Sequence, residues 1–154
     1  MKKVLSDTDI NILKLLQRNG RESFQKIANQ LNVSDATIHN RIKKMLESGI
    51  IKGFYVDVNE SSLGFDILVC MGFNVNTSDI ESVTKHLIEI SNLYEIWTTT
   101  GTHNITARGI FKDHAEIQEF TKRIHSIKGI TSFDFGIVVE ENKTLKRMDL
   151  DEFF

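Results

Sequence analysis

The chain has one cysteine, Cys70, between Val69 and Met71, so no intrachain disulfide holds the fold. It reads as a buried thiol in a reducing compartment, the cytoplasm. A structural zinc site is not expected either, because there is no second cysteine and the five histidines form no tight cluster. No apolar run approaches the roughly 18 residues that a membrane span needs. Met1-Lys2-Lys3 leads into polar sequence, not into the apolar stretch of a signal peptide. A large excess of either charge is also missing, since the formal net charge is -2.

What is present is the makeup of a globular protein: 154 residues, 40% apolar and 26% charged, enough for one domain or two small ones. The small net charge conceals an asymmetry. Residues 1–55 carry ten Lys/Arg against five Asp/Glu, and residues 56–154 carry nine against sixteen, so a balance of +5 precedes one of -7. Two modules are implied, of which the basic one suits a polyanionic partner.

Ser6-x-x-Asp9 has the form of a capping box, and Ile10, Leu13 and Leu16 follow at helical spacing until Asn19-Gly20. Phe24, Ile27, Ala28 and Leu31 make a one-sided stripe on a second helix. Asn32 tolerates the left-handed backbone of a tight turn. Ser34 then caps a third helix, with Asp35 in its first turn and Ile38, Ile42 and Met45 turned inward. Two helices joined by a tight turn, the second basic outside, form a helix-turn-helix. Ser34, Asp35, Ala36 and Thr37 are short enough to let backbone approach the major groove, and His39 and Asn40 are placed to read base edges. Arg41, Lys43 and Lys44 would hold phosphates. The plainer alternative is a solvated basic face. After Gly49 a hydrophobic, β-branched strand is expected.

The run from Leu5 to Asn59 resembles the N-terminal half of the leucine-responsive/asparagine-synthesis (Lrp/AsnC) regulators. Their pattern Asp-x-x-Ile-Leu-x-x-Leu falls on Asp9 to Leu16, Ile-Ala-x-x-Leu-x-(Val/Leu)-Ser on Ile27 to Ser34, Thr-(Val/Ile)-x-x-Arg-(Ile/Val)-(Lys/Arg)-(Lys/Arg) on Thr37 to Lys44, and Gly-(Ile/Val)-Ile-x-Gly-(Phe/Tyr) on Gly49 to Phe54, without a gap. Asn32 stands where the family often has Gly.

From Phe65 the rhythm is that of strands and helices. "FDILVCMGFNV", "LYEIWTTT", "NITARGIF" and "ITSFDFGIVV" read as strands. Ser78-x-x-Glu81 and Asp113-x-x-Glu116 open helices whose inward residues Ile80, Val83, Leu87 and Ile90 recur 37 positions later as Ile117, Phe120, Ile124 and Ile127. Gly72 to Gly109 and Leu93 to Ile130 keep the same offset. A doubled βαβ unit predicts a ferredoxin-like βαββαβ arrangement, with two helices on one face of a four-stranded antiparallel sheet. The expected fold class is α+β. A (winged) helix-turn-helix over 1–53 and a hinge strand or linker over 54–63 precede the ferredoxin-like domain over 64–141, and a tail follows over 142–154. Val69, Met71 and Phe73 alternate with Leu68, Cys70 and Gly72, so neither sheet face reads as polar, and the apolar face around Val69, Met71 and Phe73 asks for a second copy.

This half is similar to the same family's effector-sensing domain, which implies sheet-to-sheet dimers, assembly of four dimers into a ring, and an amino-acid site at the loop between the second and third strands. That loop is Thr99, Thr100, Gly101, Thr102, His103 and Asn104, and the family's Gly-Asp-(Tyr/Phe)-Asp here reads Gly101-Thr102-His103-Asn104. Both acids are replaced. Neutral donors and acceptors suit a zwitterion with an uncharged side chain, such as glutamine, better than lysine, and Gly101 would let backbone approach its carboxylate. Asp134 between Phe133 and Phe135 restores one negative charge if it points into the site. His103 is either a sensor or a hydrogen-bonded turn residue. Trp97 reads as packing before ligand platform. His86, His114 and His125 read as surface residues, and the tail ending Phe153-Phe154 as a frayed end or a dock on a neighbouring subunit.

The resemblance therefore implies a cytoplasmic, sequence-specific DNA-binding transcription regulator, modulated by a small metabolite such as an amino acid, needing no cofactor and carrying no catalytic residues. An effector-independent architectural DNA-binding protein is one alternative. An enzyme resembling the sirohaem decarboxylases, which share this layout, is another, though no paired catalytic constellation stands out.

Overall fold

The structure, a computed structural model, describes residues 5–142 and 150–153. It divides into two compact units. The chain up to Asp57, joined by the C-terminal helix, makes one, and the chain from Val58 through the last strand makes the other.

In the first unit, α1 (Asp7–Arg18) begins at a complete capping box and ends at Asn19. Ile12 and Leu16 are its buried residues, so the inward stripe is centred two positions after Ile10. α2 (Phe24–Leu31) is capped by Ser23, whose hydroxyl accepts from the Lys26 N–H, and buries Ile27 and Ala28. Asn32 takes the left-handed conformation (φ 52°, ψ 45°) and carries the chain into α3 (Asp35–Glu47), which Ser34 caps and which buries Ile38, Ile42 and Met45. These side chains form a single core with Ile12, Leu16, Ile27 and Ala28.

The strand expected after Gly49 is not formed. Among the described residues no strand lies between Ser48 and Asp66, and Phe54, Tyr55, Val56 and Val58 are exposed. A strand exists only through its hydrogen-bonded neighbour, and among the described residues the segment has none. The wing of the helix-turn-helix is therefore absent as strands.

The second unit is the expected doubled βαβ. β1 (Ile67–Val75), α4 (Ile80–Ile88), β2 (Leu93–Thr98), β3 (Ile105–Phe111), α5 (His114–His125) and β4 (Ile130–Ile137) follow in order, with sheet order β2-β3-β1-β4 and every neighbouring pair antiparallel. Asp113 caps α5 through the Glu116 N–H at 2.8 Å. Ser78 does not open α4. It lies in a 3₁₀ turn, Thr77–Asp79, and Asp79 is the residue at the helix boundary.

Three sequence expectations change once the faces are known. Val69, Met71, Phe73 and Val75 are buried with Val83, Leu87, Ile117, Phe120 and Ile124, so they lie on the helix-covered side. The open face instead carries Leu68, Cys70 and Gly72, and Cys70 is exposed, not buried. Period-two alternation separates the faces but says nothing of which receives the helices when both are apolar. The glycine repeat also fails. Gly72 lies opposite Thr106 and Gly109 opposite Val69, which puts the two glycines on opposite faces. The helices repeat at 37 positions, while the strands β1 and β3 repeat at 36, with Met71 and Ala107 paired at the centre. The outer strands keep the 37 offset and each carries a bulge, with Tyr94 the extra residue of β2 and Thr131 that of β4.

Candidate nucleic-acid interface and effector loop

Because Ile38, Ile42 and Met45 turn inward, helical geometry sends Ala36, Asn40, Lys43 and Lys44 outward with Thr37 at their margin. Ser34 keeps its hydroxyl busy: it accepts the Thr37 N–H at 3.2 Å and shares a 2.8 Å hydrogen bond with the Thr37 hydroxyl. Asp35 is exposed in the first turn, 3.7 Å from the His39 ring, which also meets Phe24 edge-on at a centroid distance of 4.5 Å. His39 is thus steadied from two sides. Lys43 has only a loose approach to Glu47, 3.9 Å between two exposed side chains, and Lys44 is exposed.

Arg41 stands apart from the other cations. Its Nη1 donates to Asp9 Oδ1 and to Ser6 Oγ, both at 2.9 Å. Asp9 Oδ2 accepts from the Ser6 N–H at 3.0 Å and the Ser6 hydroxyl at 2.7 Å. Partial burial pushes the Asp9 carboxyl up, but the hydrogen bonds from Ser6 and Arg41 outweigh it and hold the group below the ordinary carboxylate range. One guanidinium nitrogen, Nη1, is thus engaged by the start of α1. The spacing of α3 shows a cation at this position but not the acid that engages it.

The C-terminal helix α6 (Leu150–Phe153) lies on α1. Leu150 is buried, and Asp151 bridges Arg18 at 2.7 Å and Lys14 at 3.5 Å. The tail is therefore docked on its own chain as far as it is described. The Phe153 side chain and Phe154, proposed above to contact a neighbour, lie outside the described residues.

In the loop between β2 and β3 the residues divide into two groups. Asn104 Oδ1 accepts the Val75 N–H at 2.9 Å and its Nδ2 donates to the Val75 carbonyl at 2.6 Å, so the amide replaces a rung of the sheet. The Thr99 hydroxyl donates to the His103 carbonyl at 2.8 Å. Both side chains shape the loop. Thr100, Gly101 and Thr102 form its exposed crest, with Gly101 at φ 130°. His103 folds back over the open sheet face, and only a glycine fits beneath it: a Cβ on Gly72 would overlap the imidazole. Asp134 lies opposite Gly72 on the same face, its carboxylate 3.6 Å from His103 Nε2, so it does point toward the loop. His103 Nδ1 is shielded from solvent and has no hydrogen-bond partner among the described residues.

Beyond this pair the open face holds a cluster that the spacing did not disclose. Arg108 lies 3.5 Å from Glu95 and 4.0 Å from Glu141, and it faces Cys70 across the β1–β3 pair. Trp97 sits on this face, with 45% of its surface exposed.

Comparison with known proteins agrees with this architecture. Residues 5–52 match the winged helix-turn-helix DNA-binding family model, and residues 68–148 match that of the Lrp/AsnC ligand binding domain. The HTH-type transcriptional regulator Ptr1 of Methanocaldococcus jannaschii is 29% identical over 96% of this chain and 100% of its own. The solved structure of E. coli AsnC is 28% identical and superposes with a TM-score of 0.86, covering 92% of this chain and 97% of the other. The regulator NMB0573 of Neisseria meningitidis, at 19% identity, shares the fold with a TM-score of 0.89 over 98% of this chain and 100% of its own. The chain belongs to the Lrp/AsnC family of DNA-binding transcription regulators, with a helix-turn-helix unit followed by the family's ligand binding domain.

Proposed function

We propose that α3 reads an operator in the major groove of double-stranded DNA, in a cytoplasmic homodimer whose affinity is set by a neutral amino acid. The carrying observation is the outward strip of Ala36, Thr37, Asn40, Lys43 and Lys44, small and polar at the helix start and cationic further on. In this arrangement the backbone around Ser34, Asp35 and Ala36 approaches the groove, Asn40 and His39 meet base edges, and Lys43 and Lys44 hold phosphates. The dimer forms through the open sheet face, where Leu68, Ile110 and the exposed Trp97 surround the Arg108 cluster. Four dimers closing a ring would complete the family's assembly.

The effector reading rests on Thr100, Gly101 and Thr102 at the crest and on the His103–Asp134 pair beside it. The Neisseria meningitidis neighbour was solved as a complex with L-Met, a neutral amino acid. A second reading, an architectural protein without effector, draws support from Thr99 and Asn104, which are spent on the loop's own structure.

Selection of bound fragments from the source genome, with and without each of the twenty amino acids, tests both. A palindromic consensus that weakens or strengthens with one neutral amino acid is expected. Binding without any consensus would overturn the operator, and a consensus indifferent to all twenty would favour the architectural reading. Replacing Lys43 and Lys44 with Ala should flatten the salt dependence by about one unit of slope per lost phosphate contact.

A further inference from the structure

α3 shares one buried core with α1 and α2. Beside it a groove of about 410 Å³, lined among others by Leu5, Thr37, Asn40 and Lys44, separates the reading helix from the start of α1. What bridges this groove is polar. Arg41 reaches across it to a carboxylate that is itself fixed by the helix cap, since Asp9 is held by the backbone N–H and hydroxyl of Ser6. The Asp9 side chain is only 17% exposed and that of Arg41 35%.

We infer that Arg41 is a positioning residue for DNA reading: it clamps α3 to the capping box of α1 and so sets the rotation of the helix in the groove, rather than binding phosphate. Arg41 is neighboured on α3 by Asn40 and by Lys44 one turn on, so turning the helix about its axis moves both relative to the duplex. A guanidinium fits this task because one nitrogen donates to the carboxylate and the hydroxyl together, and charge-assisted bonds hold their geometry. Two residues outside the reading helix, Ser6 and Asp9, thereby become determinants of its recognition.

The inference rests on α3 being the reading helix, and one set of measurements separates the two. The probes are the tightest fragment selected from the source genome and a shuffled duplex of the same length, titrated over a range of salt with full-length protein. Asp9→Asn removes the charge that holds Arg41. The clamp predicts that it lowers the ratio of specific to non-specific affinity about tenfold, leaves the salt slope unchanged, and is non-additive with Arg41→Gln. Ser6→Ala should act in the same direction more weakly, and Arg41→Lys, which keeps a donor for Asp9, should retain most of the ratio. A phosphate-binding Arg41 gives the opposite sign, because Asp9→Asn would free a cation and remove a nearby negative charge: affinity would rise for both probes, while Arg41→Gln would lower the slope by about one unit. Equal loss on both probes, or additivity of the two substitutions, also overturns the clamp. If Asp9→Asn unfolds the unit by circular dichroism, Ser6→Ala with Arg41→Gln supplies the same cycle. An unchanged slope in Lys43→Ala and Lys44→Ala would instead remove the reading of α3 itself.

Discussion

Asn104 engages Val75 through both ends of its amide, accepting from the N–H and donating to the carbonyl. Asn104→Ala should cost about 1–3 kcal/mol, because two backbone groups of β1 lose their partners. Asn104→Asp, which restores an acid of the family's loop, is expected to be worse at neutral pH, since a carboxylate oxygen would then face the Val75 carbonyl. That contact raises the folded-state pKa of the new acid. Its penalty is therefore fully present at pH 7 and is relieved as the pH falls toward 4, which chemical denaturation at several pH values measures. Asp9 has the opposite sign. Its folded-state pKa is lowered, so its stabilising contribution is present above the unfolded value of about 3.9 and disappears as the pH falls through the folded value. Thermal unfolding of the wild type and Asp9→Asn should accordingly differ at pH 7 and converge in acid.

The turn between α2 and α3 depends on one residue outside the usual backbone regions. Among the described residues Asn32 is the one non-glycine with positive φ. Asn32→Val should destabilise by about 1–2 kcal/mol in urea denaturation, and Asn32→Gly, the family's usual residue, should cost nothing or stabilise slightly. Elements of this kind are legible in sequence because their causes are local: a cap, a stripe and a turn residue lie within a few positions of one another, as Ser34, Ile38 and Asn32 do. The outward strip of α3 was legible for the same reason, since 3.6-residue periodicity fixes direction. What escaped depends on distant partners. Phe54 to Val58 have strand composition but, among the described residues, no neighbouring strand. Val69 and Cys70 are both compatible with either face of β1. Arg41 meets Asp9 32 positions earlier and Asn104 meets Val75 29 positions earlier, and nothing in their spacing announces either contact.

At the scale of the molecule the asymmetry persists when charge is counted by unit: the first unit, with residues 144–154, carries twelve Lys/Arg against nine Asp/Glu, and the second seven against twelve, so the DNA-binding unit is net basic and the ligand-binding unit net acidic. The open sheet face yields the corresponding prediction. Leu68→Glu or Trp97→Glu should shift full-length protein from dimer to monomer in sedimentation equilibrium, whereas Val139→Glu, on a residue almost fully exposed beyond β4, should leave assembly unchanged. Failure of both substitutions to alter the sedimenting mass would exclude this face as the interface. The paired bulges have a different use. Tyr94 and Thr131 occupy the same address in the two halves of the second unit, 37 positions apart, yet the Thr131 hydroxyl donates to the Asn74 carbonyl while Tyr94 is a half-exposed aromatic. The chain thus contains its own matched control: one substitution made at either address, or at both, separates the energy of the irregularity from the energy of its surroundings within a single molecule.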